Sequence, residues 1–169
     1  MSSSKIYCSS EIGKLKKVIV HRPDNGIARI TPKEAAELLF DDIVYLPQMQ
    51  KEHDTFTSVL KAFVGEENVL FVADLLEQAL AADDIKKTEL IRMIVDYEEI
   101  PQSFGNIFTE LSNSKLAEVL ISGYLEEEDH YFFDPIPNFI FTRDIAITVK
   151  DHVIIAKAAK EARFRENLL

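Results

Sequence analysis

The chain predicts a mixed α/β fold in which a helical bundle is inserted between two pieces of sheet-forming sequence. Two observations carry this expectation. β-Branched and aromatic runs occur on either side of the centre, at Val18-Ile19-Val20, at Asn68-Val69-Leu70-Phe71-Val72 and again after Asp134, and such residues suit a pleated, half-buried strand. From Asp74 to roughly Tyr131 the pattern changes: Leu75, Leu76, Ala79 and Leu80, then Leu90, Ile91, Ile94 and Val95, then Leu116, Val119 and Leu120 recur at helical spacings. The divisions expected are a first α/β module over 1–72, a helical insertion over 73–133 and the opening of a second α/β module over 134–169. With 169 residues, 47% of them hydrophobic, the chain can bury a core of ordinary size.

Each element has its own signal. Leu15 to His21 reads as a strand that stops at Pro23, and Asp24-Asn25-Gly26 reads as a turn. Thr31-Pro32-Lys33-Glu34 has the form of an N-cap with Pro at the first helical position, opening a short helix through Leu38. Gln48 to Phe63 is the next helix, apolar at Met49, Phe56, Val59, Leu60 and Phe63, with Gly65 as its stop. Pro101, Gly105 and Gly123 punctuate the helical middle, and Glu126-Glu127-Glu128-Asp129 leaves it as a solvated acidic run. Strands are expected again at Phe139–Thr142, Ile145–Val149 and Val153–Ala156, with Lys150-Asp151-His152 as the turn between the last two. Ala158 to Leu169 then begins a helix, and an end inside an amphipathic helix is what a piece of a longer protein would have.

Charge and composition exclude some functions. A net charge of −10 and a pI near 4.9 argue against nucleic acid, whose binding needs a basic surface. No apolar run approaches the roughly 20 residues of a membrane span, and the first residues lead into no signal-peptide core. A cytoplasmic location is the expectation. The single Cys8 cannot close an internal disulfide, which suits a reducing compartment. No cofactor is expected. Nor is a metal: Asp41-Asp42 lacks a third ligand at a useful spacing, and Glu52-His53-Asp54 lacks the second histidine of a helical zinc motif. His21, His130 and His152 stand alone in sequence and suit satisfied polar positions.

The chemistry concentrates in Pro137-Asn138-Phe139-Ile140-Phe141-Thr142-Arg143-Asp144 and its echo Ala162-Arg163-Phe164-Arg165-Glu166, polar clusters inside apolar sequence. A buried Asn, Arg or Asp there needs a partner or a ligand. If 139–142 is a strand, Asn138, Ile140, Thr142 and Asp144 share one face. These two stretches, with Ser10-Glu11-Ile12-Gly13-Lys14-Leu15-Lys16-Lys17-Val18 and Glu37-Leu38-Leu39-Phe40-Asp41-Asp42-Ile43, resemble the arginine deiminases, within the wider guanidino-group-modifying superfamily that includes the amidinotransferases. The four stretches come in the family's order.

The resemblance implies a fold and a site. The fold is the pentein-type α/β propeller, a ring of small sheet-and-helix modules around a substrate channel, of which this chain would supply a part. The reaction is hydrolysis of L-arginine to L-citrulline and ammonia, with transfer of the amidino group to an amine as the superfamily alternative. A guanidinium is planar and rich in N–H donors, so it wants a carboxylate in its plane and an aromatic or aliphatic wall. By the F-T-R-D match, Asp144 is the guanidinium-binding catalytic carboxylate and Phe141 packs on the substrate. Arg163, from A-R-x-x-E, is the candidate for the substrate α-carboxylate, with Asn138 helping to orient it, and Leu39 offers its backbone carbonyl to the substrate amino group. Read alone, Asp144 could cap a strand end or pair with Arg143, Asn138 could be a turn residue, and Arg163 could pair with Glu161 or Glu166 on a helix surface; Arg143 and Arg165 suit structural roles. The family's nucleophilic cysteine, its histidine and its second guanidinium-binding acid fall beyond A-R-x-x-E, so Cys8 matches none of them. A partial ring would leave edges and apolar faces open, and self-association is expected. A different class of function, a naturally short protein that binds arginine or a partner without catalysis, fits the same residues.

Overall fold

The computed structural model describes residues 6–33, 35–40 and 44–169. It is a mixed α/β structure, mostly helical. The first strand is β1, Val18–Val20, shorter than the run from Leu15 to His21 predicts. Asp24 then caps a single helical turn, α1, Asn25–Ala28, by accepting a hydrogen bond from the Gly26 amide at 2.8 Å. The expected Asp24-Asn25-Gly26 turn is therefore the entry to a helix: the short Asp side chain satisfies an amide that a helix start leaves unpaired. The helix expected over Thr31–Leu38 does not form. Thr31 accepts one helical bond, from the Ala35 amide at 2.9 Å, and Phe40 then closes back on Ala35 at 2.7 Å, leaving a compact turn. Glu34 and Asp41-Asp42-Ile43, and with them the considered acidic pair, lie outside the described residues.

Helix α2, Leu46–Val64, has Pro47 in its first turn and ends at Gly65, whose φ of 92° no other residue type adopts readily. Strand β2, Val69–Phe71, pairs parallel with β1, Ile19 opposite Leu70. A parallel pair needs a long crossover, and α1 and α2 supply it.

Helices α3, Val72–Ala82, α4, Asp84–Tyr97, α5, Ser103–Glu110, and α6, Asn113–Ser122, form a bundle; the periodicity predicts α3, α4 and α6, while Gly105, expected between helices, lies within α5. Asp83 and Ser112 cap α4 and α6 through their side-chain oxygens. The helical pattern ends earlier than expected. Gly123 takes the left-handed conformation, φ 72°, and the stretch up to Tyr131 is a small hairpin, β3 (Tyr124–Leu125) with β4 (His130–Tyr131), carrying the acidic run at its tip.

The largest correction falls on the motif itself. Phe139–Thr142 is not a strand: Pro137–Ile140 is a 3₁₀ turn and Thr142–Ile145 a single helical turn, α7, joined at Phe141 with φ −90° and ψ 62°. Pro137 offers no amide to a sheet ladder, and the amides of Phe139 and Phe141 instead close on the Ile136 and Asn138 carbonyls at 3.0 and 2.9 Å. Beyond it, β5 (Ala146–Val149) and β6 (His152–Ile155) form the expected hairpin, with Lys150 at φ 53° in the place where a glycine would be easiest. Backbone bonds between Cys8 and Lys150, 2.9 and 2.7 Å, attach the N-terminal segment there. The helix expected over Ala158–Leu169 is instead an irregular run ending in two 3₁₀ turns, Glu161–Arg163 and Arg165–Asn167. Its side chains are fixed by partners elsewhere in the chain, which outweighs helix propensity in so short a segment.

The main core is built by α3 to α6 around Leu80, Ile94, Phe108, Leu116 and Leu120, and continues without a break into Phe132, Ile136 and Phe139. A second, smaller cluster gathers Ile27, Ile30, Ala35 and Leu38, with Ile140 and Ala162 against it. The motif 137–144 runs between the two.

Candidate functional site

Where the clusters meet, the turn ending in Leu39 is held against the motif. Leu38 is buried, and its carbonyl accepts a hydrogen bond from Asn138 Nδ2 at 2.7 Å; Asn138 is itself 3% exposed. The next residue, Leu39, has φ 62°. A leucine in that region costs about 1–2 kcal/mol and persists only where its surroundings dictate it. Here the bond from Asn138 and the closure of Phe40 on Ala35 dictate it. The outcome is a half-exposed Leu39 facing a cavity of about 300 Å³ whose wall also includes Asp144, Lys160, Arg163, Glu166 and Asn167.

Asp144 reaches this cavity from the end of α7. The turn is fixed by a bond from the Asp144 amide to the Phe141 carbonyl, 2.9 Å, and by Thr142 Oγ1 donating to the Ile19 carbonyl on β1, 3.0 Å. Arg163 is supplied by the 3₁₀ turn Glu161–Arg163. Its Nη1 donates to Asp144 Oδ2 at 2.8 Å, its Nε lies 3.1 Å from both oxygens of Glu166, and its Nη2 donates to Glu166 Oε2 at 2.8 Å. Glu166 is 2% exposed. Its burial pushes the carboxyl upward from the ordinary glutamate value, against the downward pull of Arg163. The fork on Glu166, more than the bond to Asp144, strengthens the positive charge of Arg163.

The structure therefore brings Leu39, Asp144 and Arg163 to one cavity. The other two expected residues sit differently. Asn138 is not part of the cavity wall and donates to the Leu38 carbonyl, and Phe141 is half-exposed outside the wall. Two partners were missed by sequence reasoning. Glu166, the end of A-R-x-x-E, reads in the sequence only as a surface pair for Arg163; its i, i+3 spacing is the available signal. Lys160 had none, because it belongs to an irregular segment without periodicity. Arg143 pairs with Glu11 on the surface, as a structural reading would have it. Arg165 is buried: its Nε donates to the Leu120 carbonyl at 3.1 Å, its other nitrogens meet Glu98 and the Asp134 carbonyl, and its guanidinium lies 4.3 Å from the Phe133 ring centroid. Burial lowers its proton affinity, with the Glu98 charge opposing.

Among the described residues, no histidine or cysteine lines the cavity. His21, buried, bonds Asp24 at 3.0 Å and packs its ring on Phe139. His53 lies on α2 with its Nδ1 buried and unpaired, and burial lowers its proton affinity. Among the described residues no cluster of His, Cys, Asp or Glu could hold a metal ion, and no helix is long and apolar enough to cross a membrane.

The family model described as arginine deiminase matches residues 36–125 and 109–169, and so covers most of the chain. The chain belongs to the arginine deiminase family. An arginine deiminase of Limosilactobacillus fermentum is 38% identical over 187 aligned positions, which take in 99% of this chain and 46% of that protein. Arginine deiminases of Latilactobacillus sakei and Bacillus cytotoxicus are each 34% identical, over 98% and 96% of this chain. The chain spans about half the length of the curated relatives it matches. Both pieces of the family match include the residues of the cavity: Leu39 falls in the first, and Asp144, Arg163 and Glu166 in the second.

Proposed function

We propose that this chain is the substrate-recognition portion of an arginine deiminase-type amidine hydrolase, which converts L-arginine and water to L-citrulline and ammonia. One observation carries the reading: Asp144 and Arg163, a carboxylate suited to a guanidinium and an arginine suited to a carboxylate, stand 2.8 Å apart on the wall of one small cavity. Family membership supplies the reaction. In the reading, Asp144 binds the substrate guanidinium, Arg163 its α-carboxylate, and the Leu39 carbonyl its amino group. Phe141 packs on the substrate stem when the site is filled, and Asn138 acts on the carboxylate end, by contact or through the Leu38–Leu39 turn that it holds.

The deiminase reaction needs a thiolate to attack the guanidinium carbon, and a histidine and an acid to move protons. Cys8 belongs to the segment attached at Lys150 and is not part of the cavity wall. The reaction therefore draws on groups other than those around Asp144, and this chain by itself contributes recognition. We further infer that the α/β modules at 1–72 and 134–169 are parts of a pentein-type propeller interrupted by the helical insertion at 73–133, that the protein works in the cytoplasm, and that the chain by itself self-associates. The parallel pair β1–β2 and the separate β5–β6 hairpin are compatible with such modules.

Titration of L-arginine into the chain by calorimetry tests the reading. Saturable binding that is lost in Asp144→Ala, without citrulline release, is expected. Absence of binding overturns the site assignment, and citrulline release by this chain overturns the division between recognition and chemistry.

A further inference from the structure

We propose that Arg165 is a positioning residue: together with Phe164 it seats the segment carrying Arg163 and Glu166 on the helical bundle, and so places Arg163 at the cavity. The inference rests on the arginine-site reading and adds what aims its carboxylate-binding arginine. The stretch from Lys160 to Asn167 supplies Lys160, Arg163, Glu166 and Asn167 to the cavity wall. It is neither a regular helix nor a strand. Its backbone bonds span three residues, Arg163 N to Lys160 O at 3.1 Å, Phe164 N to Glu161 O at 2.9 Å and Asn167 N to Phe164 O at 3.1 Å. Such local bonds shape the segment without fixing where it lies. The fork from Arg163 to Glu166 does not fix it either, because both residues belong to the segment and move with it. Among the described residues, the polar contact of Arg163 beyond the segment is the single bond from Nη1 to Asp144, whose side chain is 54% exposed. A pair so open to water is worth little. The aim of Arg163 is therefore set by its neighbours.

Phe164 and Arg165, the two residues between Arg163 and Glu166, turn to the bundle. The Phe164 ring stacks on Tyr97 of α4, with centroids 4.7 Å apart and planes 18° from parallel. Arg165, 3% exposed, spreads its guanidinium over three separate parts of the chain. Nε donates to the Leu120 carbonyl of α6 at 3.1 Å, Nη1 to the Glu98 carboxylate at the end of α4, and Nη2 to the Asp134 carbonyl ahead of the motif. The Phe133 ring lies 4.3 Å from the same group. A planar fork bonded at three points fixes the place and the orientation of the backbone that carries it, which the single ammonium of a lysine on its flexible stem does not. Glu166 follows directly in the chain, so seating Arg165 also carries Glu166 inward, to 2% exposure. The cavity is in this way tied to α4 and α6, no residue of which lines it.

Glu98→Gln tests the seating, because it leaves an acceptor for Nη1 and removes the charge opposite Arg165. Two quantities are followed: the affinity for L-arginine by calorimetry, and the solvent exchange of the Arg163 Nε proton by nuclear magnetic resonance, with the Phe108 amide of the main core as reference. L-Arginine should bind roughly three- to tenfold more weakly, the size of coupling carried between contiguous packed groups. The Arg163 proton should exchange faster by a larger factor than the Phe108 amide, since a lifted segment lets water reach the fork. Tyr97→Leu acts through Phe164 and strands no buried charge; it should move both quantities the same way, and it keeps the test open if Glu98→Gln fails to fold. A purely structural contact would loosen the whole protein. Equal factors for Arg163 and Phe108, or an unchanged Arg163 exchange and L-arginine affinity in the folded variants, overturn the positioning role and leave the arginine site standing. A wild-type chain that ignores L-arginine while the exchange result holds overturns the site reading, and not the seating of Arg163 by Arg165.

Discussion

Glu166 combines 2% exposure with a forked bond to Arg163, so its protonation couples the cavity to pH. Burial raises its folded-state proton affinity above that of the unfolded chain, whose ordinary value is 4.5. The folded state then holds the proton to higher pH, and the stability tied to it is present below 4.5 and lost as pH rises through the raised value. Glu166→Gln cannot titrate. The stability difference between variant and wild type should therefore move in favour of glutamine as pH rises above 4.5. Thermal melts of both proteins across pH check this, and a drift in favour of glutamate would mean that the Arg163 fork outweighs burial. At the same scale the sequence was half legible. A-R-x-x-E singled out Arg163, but only the fold distinguishes an arginine gripping a buried carboxylate from one on a surface. Nothing in the order of residues says that the amide of Asn138 would be spent on the Leu38 carbonyl, a hundred positions away.

Among the elements, α6 depends most on a single residue. It ends at Gly123, φ 72°, and a Cβ built there would lie 1.9 Å from the Phe133 carbonyl oxygen. The cap closes the helix and brings Phe132 and Ile136 back onto the core, through Phe132 N to Gly123 O, 2.9 Å, and Ile136 N to Ile121 O, 3.1 Å. Gly123→Ala should cost about 2 kcal/mol or more, from the left-handed backbone and the clash together. Urea denaturation measures it, and a loss below about 0.5 kcal/mol would mean that the Phe133 segment moves aside freely. Helices α3, α4 and α6 were legible because their apolar faces repeat at a period that no loop imitates, whereas α5 was hidden by Gly105, which reads as punctuation yet lies within it. Phe139–Thr142 reads as a strand in the sequence because its alternation of Phe and Ile is shared by a turn that sends Phe139 into the core, at 2% exposure, and leaves Phe141 half outside. Periodicity over a few residues cannot separate those two cases.

Across the whole molecule, the apolar surface is unevenly covered. The β5–β6 hairpin exposes Ile147, Val149, Val153, Ile154 and Ile155, and α2 exposes Phe56, Val59 and Phe63. Contiguous apolar surface and open sheet edges favour association. Light scattering at micromolar concentration should find species larger than 19.3 kDa, and Ile155→Lys should shift them toward the monomer. A clean wild-type monomer would count against self-association.

Composition, periodicity and short spacings are local properties, and they sufficed for the α/β class, the helical middle, the acidic character and the order of motifs that places the chain in its family. The tertiary structure alone decided the meeting of Leu39, Asp144 and Arg163 and the pairing of Arg163 with a buried Glu166. It also decided that the last twelve residues form an irregular run ending in two 3₁₀ turns, not a helix. Those outcomes depend on partners far apart in the chain, whose contacts outweigh local propensity wherever a short segment is pinned by side chains from elsewhere.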